Sequence, residues 1–582
     1  MKNIIILLFI SQTLLGQKHD YNWITGYGYD GKVEDEYGIS QTSFDNENIK
    51  CIYVKSFLPM DESSTSISDK DGNLLFYTNG IDIYNKLHKP MKNSENFNFS
   101  TFNDGWKKVG LPLPQGIIAL PDPTNSNKYY LLYPKIRFDK AKKVPYTSSI
   151  NYATIDMQGD QNNGEVLLKD VVILNDTLNY NGITACKHGN GRDWWIIAPK
   201  FESNEYYRIL LSKQGLKVLP TQIIGDTMRS SLSQVCFSLD GKKYARNSLK
   251  YTYEPAEFDI YDFDRCKGLL SNHKRIYYPT ENRFAVGLSF STNNKFAYTI
   301  SRNKAIQWDL TAKDISKSGD TIAYYDGYIE DDIKVLQANF FMSQIAPDGK
   351  IYINSSNGTK HFHVIHKPNK KGTACQMQQH AFRLKTWNGG TLPNYPNYRL
   401  GPLDGSPCDT LGIDNIPVAL FRYDKDTLNT FLVEFTDLSH HEPAKWEWDF
   451  GDGSPKSTIQ EPVHTFKSKG EYQVCLTVSN ANGKHTACKK IGVGVTVGTE
   501  DIIKGSIEIY PNPAYDYLTI DKGNNTSNTI LIYSFEGKLI EKEALNNRIN
   551  IIDVSHLQNG IYFCRLSEED GQVMSLKFVI VH

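Results

Sequence analysis

With 64 Lys and Arg against 65 Asp and Glu in 582 residues, the chain carries a formal net charge of −1. No global basic field exists to attract nucleic acid or an anionic membrane, so neither is expected as a partner. Tyr (35), Phe (27) and Gly (42) are abundant and no long stretch has helical periodicity, so the chain reads as all-β.

Met1-Lys2-Asn3 precedes an apolar run at 4–10, a polar break and Leu14-Leu15-Gly16. A charged start, a short apolar run and a small residue predict a secretory signal peptide over 1–16; the competing reading is a buried first strand. No other apolar run approaches 18 residues, so no transmembrane helix is predicted. Nine cysteines, at 51, 186, 236, 266, 375, 408, 475, 488 and 564, imply disulfides in an exported chain. The odd count leaves at least one unpaired, for which Cys564 is the choice.

Residues 20–405 repeat a strand, a turn of Asp-Gly or Asn-Asn-Lys type, and an aromatic-rich strand. SISDKDGNLLFYTNG, ITACKHGNGRDWWIIA and SQIAPDGKIYINSS are three of six such units. Their equivalent points are Asn73, Lys128, Asp193, Lys242, Lys295 and Lys350. Spacings of about 50 residues with about four strands each predict a β-propeller, because a blade with two apolar faces buries them only against neighbouring blades. A seventh blade is assembled from residues 21–57 and 392–400; six or an irregular eight remain open. Through the segments 73–80 and 187–196, the region 60–400 resembles a family of Bacteroidetes surface proteins with propeller-like N-terminal regions, and that resemblance implies no particular activity.

Residues 401–415 are rich in Gly, Pro and Asp and predict a linker. Cys408 lies in it, and proximity pairs it with Cys375. Between 417 and 496, Trp446, Trp448 and Phe450 alternate onto one face, as do Tyr472, Val474, Leu476 and Val478, which predicts a β-sandwich. WDFGDGS, with Trp448, Asp449, Gly451, Asp452 and Gly453, resembles the hallmark of a PKD domain, an immunoglobulin-like module. Cys475 and Cys488 flank a turn and predict a cross-strand disulfide. A Gly-rich link, 492–505, leads to a small antiparallel β-domain at 505–582. Its Pro511-Asn512-Pro513, Gly537-Lys538, Gly560 and Tyr562 resemble the C-terminal sorting domain (type A) of the Bacteroidetes type IX secretion system. The resemblance implies the secretion machinery as a partner, delivery to the cell surface or medium, and removal of the domain.

Candidate chemistry is sparse. His188, Arg192, Asp193 and Trp194 form the most unusual loop and suit a carbohydrate or peptide, since aromatic faces stack on sugars and Arg binds carboxylates; the alternative is a blade turn with Trp buried between blades. Asp449 with Asp452 reads as paired carboxylates or as a capped turn. Asp69-Lys70-Asp71-Gly72 begins like a calcium loop but lacks its distal Glu. His361 and His363 share a strand face and offer two metal ligands without a third. No G-x-S-x-G, HExxH or P-loop is present. No catalytic, cofactor-binding or metal-binding residue is therefore assigned, and no cofactor is expected. The resulting expectation is a surface binding or adhesion protein for an unknown extracellular protein or glycan, with the PKD unit as spacer or interaction module; the alternative is a hydrolase or lyase for polysaccharide or peptide at the propeller channel.

Overall fold

The computed structural model describes residues 17–28, 37–44, 49–60, 63–139, 144–179, 182–228, 233–248, 255–280, 285–330, 336–426, 429–494, 508–510, 514, 516–521, 529–534, 538–547, 549–567 and 573–580. The predicted signal peptide and the residues Pro511, Asn512, Pro513 and Gly537 lie outside them. Two compact units are formed, one of residues 1–425, 433–464 and 472–491, the other of 426–432, 465–471 and 492–582.

In the first unit seven antiparallel sheets follow one another along the chain, at 22–54, 65–85, 118–178, 184–223, 233–278, 285–324 and 343–388. The first two have three strands and the others four. Neighbouring sheets meet in sequence, and the outer strand Met377–Asn388 of the last meets Ile39–Phe44 and Ile49–Val54 of the first. The ring is thus a seven-bladed propeller. Asn73, Lys128, Asp193, Lys242, Lys295 and Lys350 each fall where the first strand of a blade turns into the second. Their Gly, Asn and Asp neighbours supply the tight turns, and the aromatic strands that follow are sealed between blades; Trp194–Pro199 is buried along its whole length.

Residues 391–400 correct one expectation. Pro393 and Pro396 have no N–H to give to a ladder, and the segment forms no strand. Instead it fills the channel. The Asn394 backbone N–H donates to Ser64 O (2.9 Å), and its Nδ2 donates to Ile117 O and Ile183 O (3.0 Å each), so one residue on the axis ties three blades. Tyr395 Oη donates to Asn22 O (2.9 Å) and Tyr398 Oη to Ala119 O (2.8 Å). Glutamines finish the cross-links: Gln115 exchanges two bonds with the Val235 backbone (2.8 and 2.9 Å), and Gln234 does the same with Ser343 (2.6 and 3.1 Å) while accepting from Leu288 N (2.8 Å). A gap of about 50 Å³ is left beside the filler.

Five cysteines are free: Cys51, Cys186, Cys236, Cys375 and Cys564. Cys408 is bonded to Cys266, 142 residues away, and not to Cys375, which is buried in the core of the last two blades. The bond fastens the chain leaving the channel to the turn between the third and fourth strands of the fifth blade.

The sandwich after the propeller has sheets of Phe421–Lys425, Leu432–Asp437 and Val463–Thr465, and of Lys445–Asp449, Gly470–Asn480 and Gly483–Val493. Trp448 sits between Phe421 and Phe435, with ring centroids at 5.0 and 5.1 Å. Trp446 is only half-buried and donates through Nε1 to Asp437 (2.7 Å). Cys475 and Cys488 are bonded across their strands. Gly451 has φ +74°, and a Cβ there would meet Gln473 O at 2.5 Å, so the hallmark turn requires glycine twice over.

The second unit holds two sheets, of Glu508–Tyr510, Tyr517–Asp521 and Ile549–Asp553, and of Leu539–Ala544, Thr529–Ser534, Gly560–Ser567 and Val573–Ile580. Leu518, Ile520, Ile530, Ile532, Cys564 and Phe578 fill the space between them. Gly560 opens a strand of this sandwich, Tyr562 stacks on Phe578 at 5.6 Å, and the Lys538 carbonyl accepts from Ser534 N (2.8 Å) across a turn.

Candidate functional site

The loop singled out in the sequence is a closed turn. His188 Nδ1 accepts from Asn190 N (3.0 Å), Asn190 Nδ2 donates to Asp193 Oδ2 (2.9 Å) and Arg192 Nε to Asp193 Oδ1 (2.7 Å). Burial lowers the pKa of His188, outweighing the opposing pull of Asp193. Trp194 and Trp195 are both buried, and Trp195 Nε1 donates to Arg265 O (2.8 Å). Residues 400–408 roof the loop, with Leu403 N donating to Gly189 O (2.7 Å). His188, Arg192 and Asp193 therefore hydrogen-bond within the turn, and Trp194 is buried against Tyr398 at 5.9 Å.

The remaining candidates also resolve into local structure. Asp449 Oδ1 accepts from Gly451 N (3.0 Å), and Asp452 accepts from Ser454 N (3.0 Å) and pairs with His464 (2.8 Å). Burial works to raise the Asp452 pKa, but the Ser454 and His464 bonds outweigh it and hold the carboxyl at about 2. Asp69 Oδ1 accepts from the N–H groups of Asp71 and Asn73, which makes it a turn cap. His361 pairs with Glu330 (3.0 Å), while His363 faces His380 with ring centroids 4.8 Å apart. Among the described residues no group of three or more His, Cys, Asp or Glu is arranged to hold a metal ion.

What the sequence did not reveal is a cleft of about 200 Å³ between the propeller turns and the sandwich. One wall comprises Asp240, Thr292, Asn293, Asn294 and Gly349 from first-to-second strand turns; the other comprises Leu420, Asp437, Leu438, Ser439, His440 and Gln460. Its floor is the chain leaving the channel, Asn397 to Pro402, with Arg265. The walls are held together by Lys367–Glu434 (2.6 Å), by Asn369 Nδ2 donating to Glu461 (2.8 Å), and by Leu438 packed on Gly349. Gly349 has φ +76°, and any Cβ there would collide with Leu438, so the residue permits both the turn and the docking. These residues of the sandwich thus contact the propeller turns directly.

Beneath the cleft lies a buried group of cations. Arg399 forms two bonds to Asp20 (2.6 and 2.7 Å). Arg265 donates to Lys187 O (2.9 Å) and Gly401 O (2.6 Å), and Lys187 Nζ to Tyr398 O (2.8 Å) and Gln17 Oε1 (2.9 Å). Among the described residues, neither Arg265 nor Lys187 has a carboxylate within ion-pair distance. Burial, then Arg265 and Arg399, push the Lys187 pKa down to about 7, and burial pushes His441 down to about 4. Between pH 7 and 10.5 the unfolded chain therefore holds a proton on Lys187 that the folded chain lacks, so stability rises with pH across that window. The expected slope is about 1 kcal/mol per pH unit. The buried thiols and tyrosines, whose pKa values are raised, give the opposite slope as the unfolded chain loses their protons from about pH 8 upward, so the Lys187 contribution is read as a difference: the unfolding free energy of the native protein minus that of Lys187→Met should rise with pH between pH 7 and about 9.

No long-range partner of Lys187, Arg265 or Arg399 is signalled by spacing. The only local sign is the pair of prolines in LPNYPNYRL, which marks a segment unable to join a ladder.

Comparison with known proteins places these units in two families. Residues 417–495 match the PKD domain, and residues 508–581 match the secretion system C-terminal sorting domain. Among solved structures, the PKD1 domain of Vibrio anguillarum Epp is 30% identical and aligns over 13% of this chain and 92% of its own, with a TM-score of 0.12. A protein from Lactobacillus plantarum aligns over 63% of this chain and 98% of its own at 11% identity and a TM-score of 0.34. Hydrazine synthase of Kuenenia stuttgartiensis aligns over 61% and 96% at 12% identity, with a TM-score of 0.34. The two family matches identify the chain as a protein exported to the cell surface or secreted by the type IX route, carrying a PKD domain at 417–495 and a C-terminal sorting domain at 508–581.

Proposed function

We propose that this exported protein is a binding protein whose extracellular ligand, a glycan or a protein segment, enters the cleft between the propeller turns and the PKD sandwich. The observation that supports this reading is the cleft itself: a concave site within the first unit, lined by carboxamides, hydroxyls, two histidines, two guanidinium groups and four carboxylates. At about 200 Å³ it lies below the ~300 Å³ lower end of sites for drug-sized ligands, so it suits one sugar or side-chain-sized group of a larger molecule. Chemistry at the channel mouth is less well supported, because residues 391–400 fill the channel from Ser64 to Ala119. A Gln460→Trp substitution tests the reading. Gln460 is an exposed wall residue of the cleft, and an indole there should close the mouth. Ligands captured by the full chain on a glycan array or by pull-down should bind at least tenfold more weakly, with little change in melting temperature. Undiminished capture would move the binding function elsewhere.

A further inference from the structure

We infer that the cleft takes an acidic sugar, a hexuronate residue whose carboxylate is received by Arg265 and Arg399. The inference rests on the cleft being the ligand site and specifies what that site selects.

Charge imbalance is the first argument. Lys187 and Arg265 are buried and Arg399 half-buried beside the cleft, and Asp20, already in a two-bond pair with Arg399, is the one carboxylate bonded to any of them among the described residues. Buried charge is costly without a counter-ion, and Arg265 hydrogen-bonds only to backbone carbonyls, Lys187 O, Gly401 O and, at 3.4 Å, His188 O, with Glu442 and Asp240 acting on it through charge alone and outside ion-pair distance. An anion in the cleft would supply the missing charge, and a guanidinium suits a carboxylate. Of the four acidic residues that line the cleft, Glu442 acts on Arg265 through its charge and the other three are hydrogen-bonded. Asp437 accepts from Ser439 N (3.0 Å), Trp446 Nε1 (2.7 Å) and Gln460 Nε2 (3.0 Å), Glu461 from Asn369, and Asp240 from Lys242 N (3.0 Å).

A second observation separates a sugar acid from a simple anion. Two atoms of the cleft residues are buried without a hydrogen-bond partner: Oδ1 of Asn415, a residue only 2% exposed, and Nδ1 of His440. The Asn415 oxygen needs a donor, and the His440 nitrogen pairs with a hydroxyl in either tautomer. A carboxylate alone has no hydrogen to offer; the ring hydroxyls of a hexuronate do. The surrounding Asn293, Asn294, Asn397 and Ser439 add the mixed donors and acceptors that hydroxyls require.

The test is calorimetric titration of the full chain with sodium D-glucuronate, D-glucose and N-acetyl-L-glutamate. Glucuronate should bind, glucose at least tenfold more weakly, and N-acetylglutamate not measurably. Arg265→Lys should weaken glucuronate at least tenfold. If this buried variant fails to fold, Gln460→Trp gives the same readout from an exposed position. Equal binding of glucose and glucuronate would overturn the acidic-sugar assignment while leaving the cleft as the binding site, and so would N-acetylglutamate binding as tightly as glucuronate. Glucuronate binding that Gln460→Trp leaves unchanged would overturn the assignment by placing the sugar outside the cleft. Failure of the cleft reading itself is seen separately, as native-ligand capture that survives Gln460→Trp.

Discussion

Replacing Cys266 and Cys408 by serine should lower the unfolding free energy by about 5 kcal/mol, on the chain-entropy estimate for a loop of 142 residues. The bond does more than close a long loop. It holds the chain just after residues 391–400, which fill the channel and join blades that share no backbone ladder at the axis. Serine at both positions leaves the packing nearly intact, so the loss reports the cross-link. The same substitution at Cys475 and Cys488, 13 residues apart, should cost about 3 kcal/mol. Guanidinium unfolding followed by tryptophan fluorescence measures both, because none of the eight tryptophans lies in the sorting domain. Equal midpoints for the native protein and the Cys266/Cys408 variant would show that the filler holds without its clasp.

Asp259→Asn is expected to cost about 3 to 5 kcal/mol, the usual penalty for removing one partner of a buried ion network. Asp259 and Arg246 are both fully buried in the fifth blade and lie 3.0 Å apart; Arg275 and His273 reach the same carboxylate at 2.7 and 2.8 Å. Burial works to raise the Asp259 pKa, but His273, Arg246 and Arg275 outweigh it and hold the carboxyl well below the usual range. An amide of the same shape leaves the two guanidinium groups with Glu257, at 3.7 and 3.8 Å, and Arg275 also with the exposed Asp226 at 4.0 Å. The double variant Arg246→Met/Asp259→Leu should recover most of the loss, since an apolar pair of similar volume avoids the desolvation cost. A double variant as unstable as Asp259→Asn would mean that the network holds the blade by geometry and not by charge balance.

The blade turns were legible because each is encoded within about a dozen residues, and the structure puts all six at the same place in the blade. The PKD turn was legible for the same reason: its two glycines and capped aspartates act on their immediate neighbours. The loop at 188–195 shows the limit of such reading. Its residue types suit a ligand, but Trp194 is buried against Tyr398, far along the chain, and Trp195 against Arg265 and Gly268 of the next blade. The pairing of Cys408 with Cys375 failed similarly, since distance along the chain is not distance in a ring.

By itself, then, the sequence determined the order of units, the all-β class, the turn positions and export to the cell surface or medium, because strand alternation, turn chemistry and the sorting motifs are short-range patterns. Only the tertiary structure decided that the channel is filled, which cysteines pair, that the sandwich contacts the propeller turns, and that Arg265 and Arg399 share one cleft. The physical reason is closure: a ring of seven blades brings together residues more than a hundred positions apart, and their contacts obey packing and charge balance that no local spacing records.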